Sequence, residues 1–182
     1  MQQPRFLIQT TMEKEDYRKF LYIATFCRNK FTIPLVAAMA LVGSLIVNLK
    51  NNSLHLQGFL LTWIFMLVLA VGAVCFRVER QNKQRVTTDK TGTFGAESLL
   101  HFYEDKVVME TKSLNSTGEL RYDQFHRLIE SKEYLIFYLT ANQAALIRKK
   151  DIENIAGFKA FIVPKFSNRY NCICRKKTAL NL

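Results

Sequence analysis

Three histidines, His55, His101 and His126, are the first places to look for chemistry in this chain. None lies four residues from another, and none has a carboxylate at HExxH spacing, so metal-dependent hydrolysis lacks its ligand pattern. His101 and His126 fall in stretches of strand character, where a surface or core histidine is the ordinary role. Glu104, Asp105, Asp123 and His126 are the one set of groups that could line a cleft and act as acid and base. Turn or surface duty is the commoner role for such residues. TGTFGAE at 91–97 has neither the spacing nor the lysine of a phosphate-binding loop, and the chain contains no G-x-S-x-G elbow. Cys172 and Cys174, in NCICRKK, offer two thiols beside cations, too few for a tetrahedral zinc site. Cys27 and Cys75 border apolar runs, where reversible acylation is chemically open. Asn51 and Asn115 each begin an Asn-x-Ser/Thr triplet, which chance accounts for. No catalytic, cofactor-binding or metal-binding residue is assigned, no cofactor is expected, and an enzyme is not the expectation.

The elements that would position any site are dominated by two runs. No charged residue lies between Phe31 and Leu49 or between Asn51 and Phe76, and Lys50 alone separates the runs. A bilayer core about 30 Å thick needs roughly 20 apolar residues of helix, which both runs supply. A soluble helix of that length keeps a polar stripe toward water. Here Thr32, Ser44 and Asn48 form no evident face in the first run, and Thr62 stands alone after Gln57 in the second. The sequence therefore predicts a transmembrane hairpin over 31–76, with spans at 31–49 and 57–76. The polar, charged residues before it argue against a cleavable signal peptide. In LAVGAVCFRVERQNKQR, Arg77 marks the end of the second span.

The net charge of +11 suggests a nucleic-acid binder until it is divided along the chain. Residues 1–30 carry six Lys/Arg against three Asp/Glu, and residues 77–90 carry five against two. Residues 91–166 hold ten of each sign, and the tail adds Arg169, Arg175, Lys176 and Lys177 without an acid. The excess sits beside the apolar runs and in the tail, so nucleic acid is not an expected partner. Basic flanks around a poorly charged connector follow the positive-inside rule, which places both termini in the cytoplasm and the protein in the cell membrane as a multi-pass chain. Residues 77–85, and also the tail at 169–177, could meet anionic headgroups.

Residues 1–30 read as a short strand, RFLIQT, followed by an amphipathic helix with Thr10 and Glu13 as a capping box. Tyr17, Phe20, Leu21 and Ala24 share one face of that helix. Residues 77–97 read as a basic juxtamembrane linker. From 98 the period becomes two: SLLHFYED and KVVMETK flank a tight turn at Glu104–Lys106, and Asn115 and Gly118 suit a second turn. Tyr134–Leu139 has the continuous apolar character of a strand covered on both faces, and ANQ at 141–143 suits a hairpin loop. Asp151 would cap a final helix whose Ile152, Ile155, Phe158, Phe161 and Ile162 face a sheet, with Pro164 ending it. The fold class expected is a membrane α-helical hairpin plus an α+β domain at 98–166, an antiparallel meander closed by a C-terminal helix, and a basic tail at 167–182.

FYED at Phe102–Asp105, VVMET, YDQFHRLIESKEYLIFYLTANQAALI and FKAFI at Phe158–Ile162 resemble the YcxB-like family of bacterial membrane proteins. EDYRKF followed by two apolar runs is similar to the family layout. The resemblance implies a two-span anchor bearing a small pleckstrin-homology-like domain. Lys106 where the family often has Gly, Tyr122 where Trp is common, and LIRKK without the following Pro are departures from its pattern. The resemblance implies no activity. The function expected is a cytoplasmic interaction or regulatory domain for a protein partner or lipid surface. An accessory subunit of a transport or secretion complex is the alternative, and a membrane-surface enzyme ranks lower. Small residues such as Ala40, Ser44, Gly58, Gly72 and Ala73 suit packing within the hairpin, with homo-oligomerisation the further possibility.

Overall fold

The computed structural model describes residues 3–27, 31–50, 56–90, 92–111, 116–141 and 143–173. The chain divides into two units, one made of residues 1–14 and 89–182 and the other of residues 15–88.

The first unit begins with β1 (Phe6–Thr11), which is no separate N-terminal segment. It pairs antiparallel with β2 (Glu97–Phe102) along its whole length, Phe6 opposite Phe102 and Thr11 opposite Glu97. Residues 12–96 are therefore an insertion between two adjacent strands, and the sheet unit starts well before residue 98. β3 (Lys106–Thr111) and β4 (Ser116–Arg121) complete a sheet of order β1-β2-β3-β4. The turn expected at Glu104–Lys106 forms, with Tyr103 N donating to Lys106 O at 2.8 Å. Gly118 lies inside β4 with no positive φ, so the second turn does not include it. β5 (Arg127–Glu130), β6 (Tyr134–Tyr138) and β7 (Ala144–Arg148) form a second antiparallel group. Every residue of β6 is buried, as a strand covered on both faces requires.

The last helix of this unit runs from Ile155 to Phe166, later than Asp151 would have started it. Asn154 is its N-cap, the side-chain Oδ1 accepting from Gly157 N at 2.9 Å. Asp151 sits in a preceding 3-10 turn and binds Arg148 and Thr10 instead. Pro164 lies within the final turn, and the helix goes on two residues to Phe166. Residues 170–172 are not free tail either: they form β8, parallel to β5, with Leu128 opposite Tyr170. One apolar core joins both sheets to the helix. Leu128, Leu135, Phe158, Ile162 and Phe166 are fully buried in it, and the Phe102 and Phe158 rings meet edge-on at 4.8 Å. Edge-to-face pairs of this kind add to the stabilisation from burial.

β1 is fastened to the rest of its unit by polar contacts as well. Thr10 Oγ1 donates to Asp151 Oδ2 at 2.7 Å, and Arg148 reaches Asp151, Glu13 and Thr11. Thr10 and Glu13 therefore bind across the domain, and the capping box does not form.

In the second unit α1 (Lys14–Tyr22) leads through a π-helical turn at Ile23–Cys27 to α2 (Thr32–Lys50) and α3 (Leu56–Thr88). The helix α3 continues through residues 77–88, where the sequence alone suggests a linker. Arg, Glu, Gln and Lys are good helix formers, and no Gly or Pro interrupts them before Gly92. Both α2 and α3 are long and apolar enough to cross a membrane. Their outer surfaces are apolar and exposed, with Met39 at 67% and Leu61 at 70%. The seam between them is polar. Ser44 and Asn48, one helical turn apart, do share a face, and it is buried against α3. Asn48 Nδ2 donates to Thr62 Oγ1 and to Ser44 O, both at 2.8 Å, while Ser44 and Thr62 lie 2.8 Å apart and each reaches Phe59 O. Ala40 is buried in the same row, so the small residues of α2 are used within the hairpin.

Two expectations follow. Ile8→Ala should destabilise the sheet unit by about 2–4 kcal/mol, as for a buried large-to-small change, whereas Leu7→Ala, at a position 60% exposed, should be nearly neutral. Thermal melts followed by circular dichroism would separate the two, and equal effects would remove β1 from the core. Asn48→Leu should lower the stability of the hairpin by about 1 kcal/mol without loss of helix content, followed through the fluorescence of Trp63, the single tryptophan.

Candidate functional site

Charged side chains meet at the end of β5 around a buried carboxylate. Glu130 ends β5 after the buried Leu128 and Ile129, and its side chain is 5% exposed. Three other segments of the fold converge on it. Lys149, just after β7, donates to Oε1 at 2.6 Å, and Lys159, one turn into the C-terminal helix, donates to the same oxygen at 2.8 Å. Tyr170 of β8 donates its hydroxyl to Oε2. Burial alone would raise the Glu130 carboxyl, but Lys149, Lys159 and Tyr170 outweigh it and bring it down to about 2. Burial, then the Glu130 charge, pushes the Tyr170 phenol well above its ordinary range. An ionised carboxylate and a protonated phenol exchange no proton near neutral pH, so the cluster acts as a lock rather than as an acid–base pair.

What it locks is the segment after the last helix. Ser167 turns the chain with φ 38°, a conformation rare outside glycine. Arg169 then donates to the carbonyls of Asp123, Phe125 and Tyr122 while its guanidinium lies 5.6 Å from the Phe166 ring centre. Ile173 N donates to Glu130 O at 2.9 Å. Arg169 is thus engaged with protein carbonyls and is not part of a free basic tail. Cys174, Arg175, Lys176 and Lys177 lie outside the described residues, as do His55, Asn51 and Asn115.

The acid–base candidates do not form a unit. Glu104 pairs with Lys165 at 2.7 Å and Arg5 at 3.6 Å, and Lys165 first, then Arg5, holds its carboxyl below the usual range. Asp123 pairs with Arg121 at 3.1 Å. Asp105 is an exposed turn residue whose carbonyl accepts from Tyr122 N. His126 is exposed, its Nε2 3.0 Å from Arg127 Nη2. His101 Nε2 lies 3.8 Å from Glu110 on the outer face of the first sheet. Cys27 is exposed, and Cys75 and Cys172 are half-buried. No group of three His, Cys, Asp or Glu able to hold a metal ion occurs among the described residues.

Glu130, Lys149, Lys159 and Tyr170 are hard to foresee from the sequence, because no local spacing links them. The only signal is Glu130 itself, a charge that follows Leu128 and Ile129 directly. On the hairpin unit a second charge group joins α1 to α3. Arg18 meets Glu79 at 2.6 Å and Tyr22 OH donates to Glu79 at 2.8 Å, so that Arg18, then Tyr22, holds the Glu79 carboxyl below its usual range.

These features define a two-sheet domain closed by a helix, split near its start by a two-helix insertion. The model of the YcxB-like protein family matches residues 102–162, so this segment of the chain is similar to that family. The match runs from the end of β2 into the last helix and leaves β1, both long helices and β8 outside it. No curated protein and no solved structure matches the chain.

Glu130→Gln should cost about 2 kcal/mol, the usual scale for losing hydrogen bonds to a charged group. Because the folded carboxyl is depressed to about 2 from 4.5, its stabilisation is fully present above pH 4.5 and is lost as pH falls toward 2. Urea melts at pH 7 and pH 3 check this: the gap between wild type and Glu130→Gln should shrink at pH 3, and a gap that widens would refute the lock.

Proposed function

We propose that the protein is an integral membrane protein whose two-helix insertion anchors a small interaction domain at the cytoplasmic face. The observation that carries this reading is the pairing of Thr11 with Glu97. It brings the two ends of the insertion to one end of one sheet, so a hairpin that crosses a bilayer must return to the side it left. The Lys/Arg excess beside the apolar runs supports the cytoplasm as that side. The apolar, exposed outer surfaces of α2 and α3 support lipid as their surroundings. Arg77, Arg80, Lys83 and Arg85 follow the apolar part of α3 and suit anionic headgroups, at about 1 kcal/mol per cation near the surface.

The domain itself we read as pleckstrin-homology-like. The support is a four-stranded antiparallel sheet followed by a three-stranded antiparallel group and a closing helix over one core. The even balance of charge over residues 91–166 suits a protein partner better than a phosphoinositide headgroup.

Leu67→Arg tests the anchor. Arg at a helix centre costs about 2.5–3.5 kcal/mol on insertion scales, so the variant should leave the carbonate-resistant membrane fraction in which the wild type stays. Retention of the variant there would count against spanning. Purification of the wild type from its own membrane in gentle detergent should bring a stoichiometric protein partner, and a protein that comes alone would count against the interaction role.

A further inference from the structure

The outer strands of the two sheets are not equally covered. β1 and β7 lie against each other, and β8 covers the outer side of β5. Among the described residues β4 is a six-residue edge that pairs with β3 alone. Tyr122 N donates to Asp105 O, which sets the phase of the ladder. With that phase, Val107–Leu120 and Met109–Gly118 are hydrogen-bonded pairs, while Val108–Glu119 and Glu110–Thr117 are not. The N–H and C=O groups of Thr117 and Glu119 therefore point away from β3. β4 has no proline and no bulge, the usual devices that blunt an edge.

The same strand is also incomplete on its inner face. Gly118 stands in register with Met109, in a row where Leu120 and Val107 supply side chains to the core. A Cβ at Gly118 would meet nothing within 4 Å. A cavity of about 60 Å³ opens there, lined by Leu100, Met109, Leu120, Phe137, Leu139 and Ala145 among other apolar residues. Met109 is 39% exposed beside it. An apolar pocket offers water no partners and favours a carbon ligand. Its size decides between such ligands: it is well below the roughly 150 Å³ apolar cavity that takes benzene. A ring or a lipid chain is too large, and one small branched aliphatic group is the right scale. On the outer face Glu119, 57% exposed, pairs with Lys106 at 3.0 Å, and Glu110, 50% exposed, lies 3.8 Å from His101 Nε2, so two carboxylates face a single lysine there.

We propose that β4 is the docking edge for an extended protein segment that adds to the first sheet as a further strand. It places one Val- or Ile-sized side chain in the pocket at Gly118 and carries Lys or Arg beside Glu119 and Glu110. Side chains alternate faces along a strand, so the aliphatic residue and its basic neighbours are adjacent in the partner's sequence. Backbone hydrogen bonds supply affinity, and the pocket with its acidic rim supplies selection. The inference rests on the reading of the domain as an interaction module and names the surface and the partner's pattern.

The test uses the full-length protein in detergent micelles, with a nine-residue peptide that alternates Val with Lys and Thr as the probe. A twin with Asp in place of the central Val is the control. Hydrogen exchange read by mass spectrometry should show slowed exchange over residues 116–121 with the Val peptide only. Gly118→Val, which fills the pocket from within, should weaken binding about tenfold or more while the melting temperature holds or rises. Thr117→Pro removes an outward donor without touching the β3 ladder and should weaken binding similarly. Equal binding by wild type and Gly118→Val, or no binding by the Val peptide at millimolar concentration, would overturn the proposal. Protection at another edge would also overturn it, and would leave the broader role as an interaction module standing. Failure of that broader role has a separate signature, since wild type purified from its own membrane would then carry no partner.

Discussion

The pairing of β1 with β2 is the constraint on which the rest of the structure depends. Two strands that are neighbours in the sheet are separated in sequence by residues 12–96, yet they run in register from Phe6–Phe102 to Thr11–Glu97. Closing so long a connection costs little more than closing a short one, because the entropy of closure grows only with the logarithm of length. Within the inserted unit, Glu79 with Arg18 and Tyr22 ties α1 to α3 and so shortens the open part of the connection. The sheet and the helices thus meet one geometric condition from opposite directions.

Within the sheet unit, apolar burial and charge divide the task. The fully buried aromatic and aliphatic side chains gather both sheets and the last helix around one core. Two polar groups then fix the parts that apolar packing holds least firmly. Arg148 and Asp151 secure the first strand, and Glu130 with Lys149, Lys159 and Tyr170 secures the last. Both clusters lie where a terminal strand is short or distant in sequence. A buried carboxylate is costly unless it is paired, and here each pairing brings in a different element of the fold.

Much of the architecture is legible in the sequence because it depends on patterns that are local. Charge-free runs at 31–49 and 57–76 announce two long apolar helices, and alternation from 98 onward announces strands about a turn at Glu104–Lys106. What is not legible depends on contacts distant in the chain. RFLIQT shows strand character, but nothing in it points to a partner ninety positions on. Thr10 and Glu13 have the spacing of a capping box and serve Asp151 and Arg148 instead. Asp151 yields the helix cap to Asn154 for the same reason. Gly118 suits a turn by composition and sits inside a strand, where its lack of a side chain leaves a pocket. Ser44 and Asn48 form a polar face only when Thr62 is brought opposite. The three residues of β8 carry too short a pattern to mark a strand at all.

The split sheet also has a consequence in time. β1 is made early and its partner late, so the first strand leaves the ribosome long before β2 exists. Until then Phe6 and Ile8 have no sheet to enter, and a strand left unpaired with apolar side chains is open to wrong partners. The six residues of β1 answer part of that hazard: they are few, and Arg5 stands immediately before them. Maturation of the domain must therefore wait for both long helices to be synthesised, which makes a folded sheet a report that the insertion between β1 and β2 has already been made.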